Sequence, residues 1–559
     1  MVPLTAWFSV SLIALGFAAT VYRATSLGMP TQMPMWVVMV IPSALSEVVF
    51  DDDNRYTVLK PVYQEYYSRL ATNLDAASVN AAISAVMRLD PNHIDRGYEL
   101  LWDDDKGMVD FVALAFRLFG FQVQSIFYLY FLVMLASCIA YTLAFFKQTA
   151  CLLLLAGFVS MFFLLLPMIA FNPQLVSVLT NRVLPLLSVV ACLHLILFAL
   201  RPRLTVVQLA LVFAQAVLLI FTVHLRTTTM WQTTTVALVS GAAALLVWRR
   251  GVAHGVASAV WRPGALLASV PLVLVVVGQL GLQAYRSRAY AQEYYTGNHM
   301  VTRVIWHSLF SGLAFDPQFA ERYDIRLDDF SVVRALRQYL EEQGRGDEFA
   351  ALLPGPTLAS GIYWGPYDLL VREMLVSRCS AQPTDCLLAV AYYKPLSLAG
   401  NLAWLYGLQA LPPDLDIWVS TEAIDGGPIS PESAEAVKAQ FLETSRQLDA
   451  TGLRAYLWTP GVLLIILPFG ALLSVASRRD IARAWIAAVA LLAGSLIPTV
   501  IGFPGPHTVA DAATTTGMLI YLALCTGIAI VLRALFTRIR RLPANGAGHG
   551  WTFTQPGAP

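Results

Sequence analysis

"SEVVFDDDNRYTVLKP", residues 46–61, sets three consecutive aspartates directly behind an apolar run. Asp51, Asp52 and Asp53 admit two readings. Followed by Asn54 and a helix-compatible stretch, they make a good turn and N-cap. At a membrane surface the same carboxylates are candidates for general-base chemistry. Where the membrane lies decides between the two, and the rest of the chain bears on that.

The 559 residues are 57% hydrophobic and 13% charged, with a mean hydropathy of +0.62. Soluble domains carry about 25% charge, so this composition belongs in a bilayer. The net charge of +1 excludes a strongly basic nucleic-acid binder. No basic block with interleaved aromatics and no Gly-rich phosphate loop is present.

A spanning helix needs about 20 mostly apolar residues. Ten segments qualify: 5–22, 122–146, 149–171, 184–200, 204–223, 231–248, 265–284, 457–476, 484–503 and 513–532. The run 33–50 is also apolar, but Pro34, Pro42 and Glu47 favour an interfacial or re-entrant segment over a span. The first segment lacks a positively charged leading region and reads as an anchor rather than a cleaved signal.

Basic residues set the orientation. With the N-terminus in the cytoplasm, the inner connections hold thirteen: Lys147, Arg201, Arg203, Arg249, Arg250, Arg262, Arg478, Arg479, Arg483, Arg533, Arg538, Arg540 and Arg541. The short outer loops hold two, Arg182 and Arg226. The expected fold class is therefore an α-helical polytopic membrane protein of about ten spans with both termini cytoplasmic. Its expected parts are a first transmembrane helix (1–22), an outward loop (23–121), spans two to seven (122–284), an outward domain (285–456), spans eight to ten (457–534) and a disordered cytoplasmic tail (535–559). The outward domain is expected to be mixed α/β or mainly helical.

The cytoplasmic connections are too short for a nucleotide-binding domain, which argues against an ATP-driven pump. Chemistry is expected outside, where substrates arrive through the membrane on a lipid carrier. The first outward loop contains thirteen acidic and eight basic residues. Leu59, Tyr63, Tyr66, Tyr67 and Leu70 recur at helical intervals, as do Val109, Val112, Phe116 and Phe119 before Gly120. The loop thus reads as acidic turn, interfacial helix, acidic turn, interfacial helix, then membrane.

At "FDDDNRYTVLKPVY" and "DDDKGMVDFVALAFRLFGFQVQS" the chain resembles the lipid-linked glycosyltransferases of the GT-C fold. The branch is that of protein mannosyltransferases and lipid A aminoarabinose transferases. The resemblance covers about 120 residues, and Asp105-Lys106-Gly107 stands where those proteins carry a His-Pro-Pro turn. It implies an enzyme that moves a sugar from a polyprenyl-phosphate carrier to a glycan, lipid or protein acceptor of the cell envelope. It places the catalytic carboxylate among Asp51, Asp52 and Asp53, with Asp52 or Asp53 favoured because Asp51 continues the apolar run.

The leaving phosphate needs positive charge or a metal. Arg226, Arg182, Lys106 and His224 are the candidates for gripping it. Asp103 and Asp104, together with the first acidic cluster, could hold a divalent cation through hard oxygen ligands. In the outward domain, His307 and Trp306 lie in "VIWHSLFSGLAFDP", the composition of a sugar-stacking loop. His507, in the last outward loop with Asp511 four residues on, could line the site or sit in a turn. His194, inside the fourth span, reads as a packing histidine. Cys379 and Cys386 form a disulfide if they face an oxidising compartment, and are free thiols otherwise. The segment 387–411 is apolar, but Lys394 and Pro395 favour an interfacial placement.

Two other functions fit the topology. O-antigen ligases and polymerases also carry a large outward loop, but rely on outward arginines and histidines. A lipid or polysaccharide transporter would show repeat symmetry or broken spans with midplane charges, and neither stands out.

Overall fold

Backbone amides cannot be left unpaired in hydrocarbon, and helices satisfy them internally. The computed structural model follows that rule. It describes residues 2–26, 35–52, 57–70, 76–100, 107–170, 184–202, 204–253, 263–289, 305–327, 329–353, 364–406, 460–502 and 506–541, with residues 408 and 439. Six of its helices are long and apolar enough to cross a membrane: α6 (Gln124–Phe145), α9 (Val206–Leu225), α10 (Met230–Ala253), α11 (Pro263–Ala289), α20 (Arg478–Ile501) and α21 (Pro506–Arg541). The other expected spans coincide with helices α1 (Val2–Ser26), α7 (Thr149–Ala170), α8 (Val189–Leu200) and α19 (Pro460–Ser474).

α8 is apolar on every side, so it belongs in the middle of the bundle. Its residues Val189–Ala199 are all buried, with α6, α9, α10, α11 and α20 around it. His194 lies there between the edges of Tyr141 and Phe145, at ring distances of 6.0 and 5.1 Å. Among the described residues neither of its ring nitrogens has a hydrogen-bond partner. Packing, as expected, is its visible role.

The segment between α1 and α6 folds as a module where it is described. α2 (Met35–Phe50) runs up to the aspartates, and α3 (Lys60–Arg69), α4 (Ala76–Val86) and α5 (Gly107–Phe119) follow. Strands β1 (Thr57–Leu59) and β2 (Tyr98–Leu100) pair antiparallel, with Val58 opposite Glu99. Two features were absent from the expected alternation of turn and helix. α4 buries Val79, Ala82, Ile83 and Val86, and the ribbon ties the two ends of the loop together. Three-residue strands carry too little periodic signal to be seen in sequence.

The long segment between α11 and α19 is helical wherever it is described: α12 (Ile305–Ser311), α13 (Pro317–Arg322), α14 (Asp329–Glu342), α15 (Gly346–Ala350), α16 (Trp364–Ala381), α17 (Pro383–Leu388) and α18 (Lys394–Leu405). "WGPYDLLVREML" opens the 18-residue α16. Tyr367, Val371 and Met374 are the reason, at i, i+4 and i+7, each at most 1% exposed. Its core joins α12, α14 and α16 through Phe310, Leu336 and Val371. Cys379 and Cys386 are bridged, with a Cα–Cα distance of 5.7 Å.

The chain is helical without interruption from residue 383 to residue 405. A π-helical turn, Ala389–Tyr393, lies between α17 and α18. Lys394 then donates from Nζ to the carbonyls of Gly502 (2.7 Å) and Val500 (3.4 Å), at the end of α20. The Tyr406 hydroxyl donates to the Ala513 carbonyl of α21 at 2.5 Å. These bonds dock the end of this helical segment on the end of α20 and the start of α21. Burial pushes the Lys394 ammonium down to about 8. The last helix also outruns its expected boundary. α21 continues through Arg541, where basic residues suit a helix C-terminus.

Candidate functional site

Helix α2 ends at Phe50, and Asp51 takes φ of 51°. That left-handed turn is open to aspartate at modest cost, and it leaves the Asp51 side chain exposed. Asp52 turns the other way and is 4% exposed. A solvated cap would not be buried.

Ser46 holds this turn. Its carbonyl accepts the Asp52 backbone N–H at 3.3 Å. Its hydroxyl accepts the Leu59 N–H of β1 at 3.2 Å and donates to the Pro42 carbonyl at 3.0 Å. One serine therefore pins both sides of the aspartate loop. Asp53 lies outside the described residues, as do Asp103, Asp104, Lys106 and Arg182.

The second part of the site is built where α5 meets the ends of α9 and α11. His224 is in the last turn of α9 and is 3% exposed. Its Nε2–H donates to Asp110 Oδ2 of α5 at 2.7 Å. Arg286, near the end of α11, donates from Nε to His224 Nδ1 at 3.2 Å and from Nη2 to the His224 carbonyl at 3.3 Å. A guanidinium can only donate, so Nδ1 must be the unprotonated nitrogen. The ring is then the neutral Nε2–H tautomer. The Tyr285 hydroxyl also donates to Asp110 Oδ2, at 3.3 Å.

Close approach explains one residue of this corner. A Cβ on Gly107 would run into the carbonyl and ring of His224. Glycine is thus required where α5 begins. Arg226, half-buried, ends α9 two residues past His224. Its backbone N–H donates to Thr222 O at 2.9 Å, and its carbonyl accepts from Thr229 N at 3.0 Å. These bonds close a tight 3-10 turn into α10.

α5 joins the two parts. It packs along α2, and Arg117 Nη2 donates to Glu47 Oε1 of α2 at 3.0 Å. Met108, Phe111, Val112 and Phe116 are at most 1% exposed. At the usual 1.5–3 kcal/mol per large apolar side chain, this burial stabilises α5 by roughly 6–12 kcal/mol as an upper bound. The polar contacts orient α5 more than they hold it.

Trp306 and His307 were expected in a sugar-stacking loop, and they lie instead in helix α12. Asp368 of α16 accepts both of their backbone N–H groups, at 3.0 and 3.1 Å, and so caps that helix. Burial raises the Asp368 carboxyl against these bonds. His307, buried, pairs with the Tyr367 hydroxyl at 2.7 Å. Trp306 is half-buried beneath the Arg372 guanidinium, 5.4 Å from the ring centre. Neither is joined to the aspartate corner by any described contact. Residue 507 is in the first turn of α21, and its side chain lies outside the described residues.

Asp511, four residues on in α21, is 3% exposed and accepts the Trp231 indole N–H at 2.9 Å. Among the described residues its Oδ1 has no hydrogen-bond partner. No group of three or more histidine, cysteine or acidic side chains that could hold a metal occurs among the described residues. Sequence reasoning missed Asp110, Tyr285, Arg286 and Ser46. Arg286 offered the same signal as Arg226, a basic residue just past an apolar run, hidden by its position at the start of a long polar segment.

Comparison with protein-family models, curated proteins and solved structures returns no match for this chain. Composition and helices together define it as an α-helical membrane protein.

Proposed function

We propose that the chain is a GT-C-type glycosyltransferase of the plasma membrane, using a polyprenyl-phosphate-linked sugar at the outer face. One observation carries the reading most: Asp52 is buried in a turn held by Ser46, in the same module whose α5 bonds His224, which Arg286 in turn holds. In the reaction, the Asp52 carboxylate takes the proton of the acceptor hydroxyl as its oxygen attacks the anomeric carbon. The bond from that carbon to the phosphate oxygen breaks, and the electron pair leaves with polyprenyl phosphate. Arg226, at the end of α9, supplies positive charge for the departing phosphate.

His224 does not serve as the base in this reading. Both of its ring nitrogens are engaged, one by Asp110 and one by Arg286, so its role is to fix the end of α9. The positive-inside bias supports an outward site, because Asp52, His224 and Arg286 lie at the ends opposite the arginine-rich connections. The test uses membranes carrying the overproduced chain, incubated with radiolabelled polyprenyl-phosphate hexoses and pentoses. Release of free polyprenyl phosphate above control membranes is the expected result. No release from any donor would remove the reading.

The cluster of His224, Arg226 and Arg286 favours a second reading, an O-antigen ligase or polymerase. Such an enzyme consumes a polyprenyl-diphosphate-linked oligosaccharide. Release of polyprenyl diphosphate, in place of the monophosphate, would select it.

A further inference from the structure

The opposite end of the bundle carries an unused site. There Asp480 is shared by Arg201, at 2.9 Å, and Arg483, at 3.1 Å. Arg478, Arg533 and Arg538 have no carboxylate partner among the described residues, and all three line one cavity of about 670 Å³ between α20 and α21. Arg533 commits Nε and Nη2 to the carbonyls of Leu473 and Ser474, at the end of α19, and of Ala476 just past it. Arg478 and Arg538 are exposed.

The cavity is amphiphilic. Ile481 and Ile530 form part of its wall, and Ile530 is 62% exposed on the outside of the bundle. The bias of basic residues toward one membrane side explains why arginines occur at this end. It does not explain why three guanidinium groups, none with a carboxylate partner among the described residues, converge on a groove with apolar walls. A soluble anion would gain nothing from those walls, whereas a lipid would use both features.

We propose that this groove binds an anionic phospholipid. Arg478 and Arg538 hold the headgroup phosphate, with Arg533 behind them, and an acyl chain lies along Ile481 and Ile530. This assignment is independent of any sugar-transfer activity.

The test is native mass spectrometry of the purified full-length chain with dioleoyl phosphatidylglycerol, dioleoyl phosphatidylcholine or inorganic phosphate. The expected result is retention of phosphatidylglycerol over phosphatidylcholine, undiminished by inorganic phosphate. The double variant Arg478→Gln with Arg538→Gln should weaken phosphatidylglycerol binding roughly thirtyfold, from the usual contribution of each arginine at an anionic surface. Because a folding defect could mimic that loss, Arg478→Lys with Arg538→Lys, which keeps the charge, is measured beside it and should retain most of the binding. Equal retention of the two lipids would overturn the proposal. So would unchanged binding by the glutamine pair, equal loss in both pairs, or displacement of the lipid by inorganic phosphate.

Discussion

Replacing Asp110 with alanine separates what holds α5 from what orients it. The change removes the acceptor of the His224 Nε2–H, a bond whose side chains are 4% and 17% exposed. A buried donor left without a partner costs about 1–3 kcal/mol. Tyr285 also loses an acceptor, but it is 36% exposed and water replaces the bond. Against this stand roughly 6–12 kcal/mol from the four large apolar side chains of α5. Burial wins, so α5 stays docked while His224 loses its anchor. Asp110→Asn keeps an acceptor oxygen and should cost about 1 kcal/mol or less. The assay is unfolding of the detergent-solubilised protein, with hydrogen exchange followed over residues 107–119. Expected are a loss of about 1–3 kcal/mol in Asp110→Ala and unchanged slow exchange in α5. Exchange of α5 at unfolded rates would refute the reasoning, as would a variant as stable as the parent.

Lys394 predicts a pH dependence. Its folded value is lowered to about 8 from 10.5, so between those values the unfolded chain binds a proton that the folded chain does not. Its contribution to stability therefore rises with pH across that window, by about 3 kcal/mol. The difference in unfolding free energy between the parent and Lys394→Met should show that rise, and a pH-independent difference would count against it. The Cys379–Cys386 bridge closes a short loop, so Cys379→Ser with Cys386→Ser should destabilise the helical segment around α12, α14 and α16 by about 2.5 kcal/mol. Reductant should lower the parent's melting temperature to that of the variant and leave the variant unmoved; a parent insensitive to reductant contradicts this. Ser46→Ala should lower sugar-transfer turnover with little change in donor KM, because Ser46 positions the Asp52 turn without reaching the substrate. A change in KM alone would assign it another role.

What the sequence revealed follows from the range over which each signal acts. Apolar runs and helical intervals are local, and they located α6, α9, α10, α11, α20, α21 and the start and end of α5. The disulfide was legible because two cysteines seven apart in a polar segment leave few alternatives. Long-range pairings were not. Nothing local announces that Asp110 meets His224, 114 residues away, or that Lys394 reaches the end of α20, 108 residues on. The three aspartates looked equivalent in the sequence. The left-handed turn at Asp51 sends that side chain outward and buries Asp52. Trp306 and His307 misled because a tryptophan, a histidine and a nearby glycine suit a binding loop and a capped helix equally, and the cap is Asp368, about 60 residues later in the chain.

The central claim is that Asp52 is the base. The measurement is the rate of polyprenyl phosphate release by Asp52→Asn and by Asp51→Asn in proteoliposomes, with both proteins shown to be folded. A positioned base contributes about 10²–10⁴-fold, so the account predicts a loss of that order in Asp52→Asn and near-parental release in Asp51→Asn. Parental release by Asp52→Asn would contradict it.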